Sequence, residues 1–94
     1  MYVLADVAIR EVELFLQVFG TEGLAKRTEH GCLGSQAFAV SGEEGRAMVL
    51  LTWESREDFE RFRSDPTVGE TMRSGGMIGP PEFTFLEKLG EFPH

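Results

Sequence analysis

Met48-Val49-Leu50-Leu51-Thr52-Trp53-Glu54-Ser55-Arg56-Glu57-Asp58-Phe59-Glu60-Arg61-Phe62 decides the fold. An apolar run ends in the chain's single Trp, and a helix start follows at once. Ser55 with Asp58 three residues on resembles a capping box with Asp in the place of Glu or Gln. Glu57 and Asp58 suit the positive end of a helix dipole. Phe59 and Phe62 then fall on one helix face at i, i+3. The pattern predicts a buried strand, Arg46 to Trp53, that hands its Trp to the layer between a sheet and a helix running to about Ser64.

Upstream, Ser41-Gly42-Glu43-Glu44-Gly45 reads as a polar hairpin loop. It is preceded by a strand from Cys32 to Val40, with Phe38 and Val40 on one face and Ala37 and Ala39 on the other. Before that, Val12, Phe15, Leu16 and Phe19 form a helical stripe, with Leu24 further along, up to about Glu29. Gly20 and Gly23 inside it cost roughly 1 kcal/mol each relative to Ala. We read one helix with a weak middle; two shorter helices also fit. Gly31 suits the left-handed position past the helix end. Met1 to Ile9 is a strand apolar on both faces apart from Asp6, as expected of an internal strand.

Downstream, Asp65-Pro66 starts a second helix, with an acid at the N-cap and proline at the first helical position. Val68 and Met72 point inward, and the helix stops before Gly75-Gly76. Met77-Ile78-Gly79-Pro80-Pro81 reads as an irregular apolar loop, with Met77 and Ile78 either a lid or ordinary packing. Glu82 to about Leu89 is the last strand, and Gly90 to His94 a tail.

Residues 1–94 make one domain, small enough that a monomer is marginal and association is favoured. Nine Lys and Arg against sixteen Asp and Glu leave a net charge of -7. That balance argues against nucleic acid, which needs clustered cations, and against an anionic membrane surface. One cysteine cannot form an intramolecular disulfide, no signal segment opens the chain, and no apolar run approaches the ~20 residues that span a bilayer. The expectation is a cytoplasmic protein.

The order β-α-β-β-α-(α)-β is that of an α+β, ferredoxin-like βαββαβ domain with a four-stranded antiparallel sheet. Helices cover one face. The strands leave the other face apolar too, and an apolar face of that size is an interface. A homodimer made sheet to sheet is the expected assembly.

Gly31-Cys32-Leu33-Gly34, the Leu50-to-Phe59 segment, and the closing Gly79-Pro80-Pro81-Glu82-Phe83-Thr84-Phe85-Leu86-Glu87 resemble the antibiotic biosynthesis monooxygenase domains, over nearly the whole chain. The resemblance implies a dimeric α+β barrel. It leaves the activity open, because some members oxygenate aromatic polyketides or quinols without a cofactor, some break down haem, and many have no known activity. Within the family the chain is most similar to small uncharacterised members marked by the Gly-Pro-Pro-Glu closing strand.

Trp53 is similar in position to the pocket Trp of oxygenating and haem-degrading members, where its indole N–H would meet a phenolate or quinone oxygen. The other reading is a large core aromatic. By register Asp6 lies near a pocket Asn of haem-degrading relatives. A carboxylate among apolar groups has a raised pKa and makes a base for a phenol. Alternatively, Asp6 pairs with Arg10, Arg46 or Lys88, or faces a dimer rim. Leu4, Phe38, Leu51, Phe59, Phe62, Met72, Met77 and Phe85 are candidate lining for a pocket holding a small apolar or aromatic molecule, with ordinary core as the alternative. Haem is not expected, since relatives ligate it through a His after the Trp and no His lies between Ser55 and Ser74. His30 and His94 read as surface residues, Cys32 as an inert thiol, and no metal-ligand cluster is expected. The leading reading is a cofactor-independent monooxygenase of a small aromatic or quinol-like substrate. The rivals are a non-catalytic ligand-binding or structural homodimer, and an isomerase or lyase on the same scaffold.

Overall fold

The computed structural model describes residues 1–94. Its elements are β1 (Tyr2–Ile9), α1 (Val12–Phe19), α2 (Glu22–Glu29), β2 (Cys32–Ala39), β3 (Arg46–Trp53), α3 (Arg56–Ser64), α4 (Pro66–Ser74) and β4 (Met77–Leu86). The strands form one antiparallel sheet in the order β2-β3-β1-β4. This is the ferredoxin-like arrangement, and β1 is internal. No helix is long and apolar enough to cross a membrane.

Register explains the layering. In β1 and β3 the residues Val3, Ala5, Val7, Ile9, Ala47, Val49, Leu51 and Trp53 are buried, while their alternates are not. Side chains alternate across a strand, so one parity faces the helices and the other the open side. Phe59, Phe62 and Val68 close the core from α3 and α4. Only 14 of the 94 residues are buried. The core is a single thin layer, and Leu4, Phe38, Met48, Leu50 and Leu86 are left on the uncovered face.

Both helix starts follow their sequence signals. The Asp58 N–H donates to Ser55 Oγ at 3.2 Å, and the Thr67 N–H donates to Asp65 Oδ1 at 2.9 Å, with Pro66 at the first turn.

Two expectations are corrected. The long first helix is two helices, broken at Gly20 and Thr21. The break resets the helical phase, so Phe15, Val18 and Phe19 face inward from α1 and Gly23 and Arg27 from α2. Val12, Leu16 and Leu24, assigned to the inward stripe, are about half exposed. The Met77-to-Pro81 loop is the first half of β4: Met77 pairs with Ile9 and Ile78 with Ala8, and a register shift follows at Gly79 (φ +71°). Prolines are tolerated there because they fall in the irregular stretch between the pairs Ile78–Ala8 and Glu82–Asp6 of an edge strand, where no ladder bond needs their N–H. Met77 and Ile78 are therefore strand residues and not a free lid.

Candidate active site

Between helices and sheet lies a cavity of about 70 Å³. Ala5, Val7, Val49, Leu51 and Phe83 supply its floor from the sheet; Phe15, Val18 and Phe19 of α1, Gly23, Lys26 and Arg27 of α2, Phe62 of α3 and Val68, Thr71 and Met72 of α4 supply its roof. Gly75 is there because a side chain would crowd α1: a Cβ would stand 3.1 Å from that of Val18. The cavity is smaller than the ~300–1,000 Å³ of sites for drug-sized molecules and about half the ~150 Å³ of an engineered cavity that takes up benzene, so a single small ring enters it only as its walls give. Met72 and Met77 in its wall adapt readily to a ligand's shape.

Beside it lies a groove of about 580 Å³ that shares Phe62, Val68, Met72, Met77, Pro81 and Phe83 with it as lining. Arg10, Arg63 and Arg73 line this groove.

The expected site residues divide into three groups. Leu51, Phe62, Met72 and Met77 line the cavity. Phe59 and Phe85 lie in the helix-side packing beside it; the Phe59 ring meets those of Phe83 at 5.0 Å and Phe85 at 5.6 Å. Leu4 and Phe38 face the open side of the sheet, paired with Leu50 and Met48. Their parity is opposite to that of the core, which is the physical reason that they cannot line the cavity.

Trp53 is 1% exposed and packs against Phe59 at 5.6 Å and Phe62 at 5.1 Å. It stands behind Phe62, not in the cavity wall, and its Nε1–H has no hydrogen-bond partner. Asp6 is on the opposite face of the sheet from Trp53, so the two do not converge on one pocket. It accepts hydrogen bonds from Arg46 Nε at 3.0 Å and Nη2 at 2.6 Å. Those bonds outweigh partial desolvation and hold its carboxyl below the usual range, the reverse of the raised pKa expected of a base.

Arg27 was missed by sequence reasoning. It is 5% exposed, and its Nη2 donates to the Phe19 carbonyl at 2.8 Å. Its guanidinium carbon lies 3.7 Å from the centre of the Phe19 ring, and its Nε has no partner. No carboxylate pairs with it. Burial pushes its pKa down from the usual value. No local signal marked it: Phe19 ends α1 and Arg27 lies in α2, and only the break between the two helices lays the guanidinium over that ring.

Two further expectations change. His30 is not a free surface residue: its Nε2 donates to Asp65 Oδ2 at 2.9 Å, and its ring meets Phe62 edge-on at 6.0 Å. The fold also assembles a cluster of possible ligand atoms, Glu29, His30 and Asp65, within 4.8 Å of one another. The Lys26 ammonium stands among them, 3.5 Å from Glu29 and 3.9 Å from Asp65, so the group forms an ion-pair network that ties α2 to the start of α4. The Cys32 thiol donates weakly to the Gly34 and Thr52 carbonyls, and burial raises its pKa.

A four-stranded antiparallel sheet with helices on one side and a small apolar hollow between them defines a ferredoxin-like α+β domain. The profile of the antibiotic biosynthesis monooxygenase family matches residues 5–74, and the chain belongs to that family. Among solved structures it is similar to an antibiotic biosynthesis monooxygenase at 13% identity, covering 95% of this chain and 98% of that one with a TM-score of 0.69. A variant of SnoaB, a cofactor-independent oxygenase from Streptomyces nogalater, is similar at 12% identity, 96% coverage of both chains and a TM-score of 0.70. Rv0793 from Mycobacterium tuberculosis is similar at 18% identity, with 96% of this chain and 95% of that one covered and a TM-score of 0.65. At these identities the likeness speaks for the fold. No curated protein matches.

Proposed function

We propose that the protein is a cofactor-independent monooxygenase of a small, single-ring aromatic or quinol-like molecule held in the helix-side cavity. The observation that carries this reading is the cavity itself, apolar over most of its wall and placed between sheet and helices in a chain of this family. Without a cofactor, the substrate must supply the electrons. Loss of a proton gives an electron-rich anion, oxygen adds to its ring carbon, and the peroxide loses water, so that an activated CH₂ plus O₂ becomes C=O plus H₂O. A dry cavity favours such a step by excluding competing water.

Asp6 takes no part in this reading, because it lies across the sheet and is held ionised by Arg46. Trp53 supports the cavity through Phe62. The assembly we propose is a homodimer that covers the open sheet face, supported by the thin core and by the apolar residues left on that face. A lone, poorly reactive cysteine suits a reducing cytoplasm.

The test is oxygen uptake with hydroquinone and methylhydroquinone, measured against the protein-free rate. We expect uptake by the wild type, its loss in the cavity-filling variant Val68→Phe, and its retention in Asp6→Asn. No uptake above background, or uptake indifferent to filling the cavity, refutes the reading. Loss in Asp6→Asn would return that carboxylate to the reaction.

A second reading, a non-catalytic binder of the same molecules, is favoured by one observation: the cavity wall holds no carboxylate and no imidazole to act as base. Binding without uptake would establish it.

A further inference from the structure

The charges around the two adjacent hollows are one-sided. Of the nine cationic side chains in the protein, Lys26 and Arg27 line the inner cavity and Arg10, Arg63 and Arg73 the outer groove. None of the sixteen acids lines either. A protein of net charge -7 has thus kept its acids away from this one site. Lys26 and Arg63 have carboxylate partners; Arg10, Arg27 and Arg73 have none.

Two of the unpaired arginines are seated in the same way. Arg27 follows Gly23 by four residues on α2, and Arg73 follows Gly69 by four on α4. Four residues make about one helical turn, so each guanidinium can fold back over its glycine. A Cβ on Gly23 would stand 3.2 Å from Arg27 Nη1, and one on Gly69 would stand 3.3 Å from Arg73 Nη1. Each glycine therefore leaves the space that its arginine occupies.

Arg27 gives the arrangement its direction. A buried charge normally has a paired opposite charge or a full set of hydrogen bonds. Arg27 has one carbonyl and a phenyl face, an unsatisfied Nε that is covered, and a place in the wall of a cavity whose surface is almost wholly apolar, so an anion reaches its donors as the side chain turns toward the hollow. A guanidinium offers a planar fork of donors matched to two oxygens or to one oxyanion.

We infer that the site selects an anionic aromatic molecule, its ring in the apolar cavity and its charged oxygen on Arg27, drawn in through the groove by Arg10 and Arg73. This rests on the proposed function for the location of the site and adds the charge of the ligand. It also supplies what the cavity lacks: where no base is present, a cation that binds the anion favours loss of the proton.

The experiment measures binding alone, under argon, by calorimetry and by the ¹⁵N-detected side-chain Nε–H signals of arginine. The probes are benzoate, 4-nitrophenolate and neutral benzamide, with wild type, Arg27→Met, Arg27→Lys and Arg73→Gln. Wild type should bind both anions roughly ten- to a hundredfold more tightly than benzamide, the range expected of a charged hydrogen bond. The Arg27 Nε–H signal should shift with the anions and not with benzamide. Arg27→Met should lose the preference while still binding benzamide, Arg27→Lys should keep part of it, and Arg73→Gln should weaken the salt dependence of anion binding. A preference for only one anion would tell whether carboxylate or phenolate is the group recognised.

Equal binding of anions and benzamide, unchanged in Arg27→Met, overturns the inference and leaves the cavity as the binding site. Failure of every probe to bind overturns both. If Arg27→Met does not fold, the wild-type Nε–H signal still decides. Because no turnover is measured, an absence of oxygen chemistry refutes the proposed function and not this inference.

Discussion

Removing the Phe62 ring tests the central packing claim. Phe62 is 3% exposed and stands between the cavity and the Trp53 ring, 5.1 Å away. A buried Phe→Ala change costs about 3–5 kcal/mol through lost transfer energy and the void left behind. One side of Phe62 already borders a hollow and makes fewer contacts, which puts the cost near the lower end, about 3 kcal/mol. A domain of this length has roughly 5–14 kcal/mol of stability in total. The melting temperature of Phe62→Ala should therefore fall by roughly 12–24 °C. The assay is thermal unfolding by circular dichroism and by Trp53 fluorescence, at one fixed protein concentration because association would shift the midpoint. The variant also joins the cavity to the indole, so benzene should bind, change the fluorescence and recover part of the loss, as apolar ligands do in dry engineered cavities. A fall of less than about 5 °C, corresponding to less than ~1 kcal/mol, would refute the claim that Phe62 seals Trp53 in a tightly packed layer.

Asp65→Asn keeps an N-cap for α4 but removes the carboxylate that His30 and Thr67 hold far below its usual pKa. A lowered folded pKa contributes stability above about pH 4 that is lost as the pH falls through the folded value. The urea midpoint of wild type should thus drop more steeply from pH 4 to pH 2 than that of Asp65→Asn; parallel curves would contradict this. Gly76 has φ +84° and is buried, so Gly76→Ala should cost about 1–2 kcal/mol, measured by urea unfolding, from the left-handed backbone alone. Phe38→Asp, on the open sheet face, should convert a dimer to a monomer by multi-angle light scattering without changing the helix-side cavity; a wild-type monomer at micromolar concentration would remove the assembly from the reading.

The strand-to-helix segment through Trp53 was legible because its cues are local and agree: an apolar run, an N-cap Ser and acids in the first turn. Asp65-Pro66 was legible for the same reason. The side of the sheet on which Asp6 lies was not. β1 is apolar at both parities, so its pattern names no inward face, and only pairing with β3 puts Asp6 opposite Met48 and beside Arg46. Arg27 sits in a charged stretch that reads as solvated, and its burial depends on the phase reset at Gly20 and Thr21, a tertiary matter. The start of β4 was hidden by its own composition, since Gly79-Pro80-Pro81 carries every loop cue and is held in the strand only because Met77 and Ile78 before it and Glu82 after it pair with β1. His30 and Asp65, 35 residues apart, gave no local sign of meeting.

The prolines of β4 have one more consequence. This sheet has two outer rims, and a bare rim is a template on which further chains can stack. On the β4 rim, Pro80 and Pro81 lie in the irregular stretch between Ile78 and Glu82 and have no N–H to offer, so an incoming strand meets a break in the rim and fibre growth is obstructed on that flank. The β2 rim, with Gly34, Ser35 and Gln36, has no such obstruction. Misassembly through strand addition should therefore begin at β2.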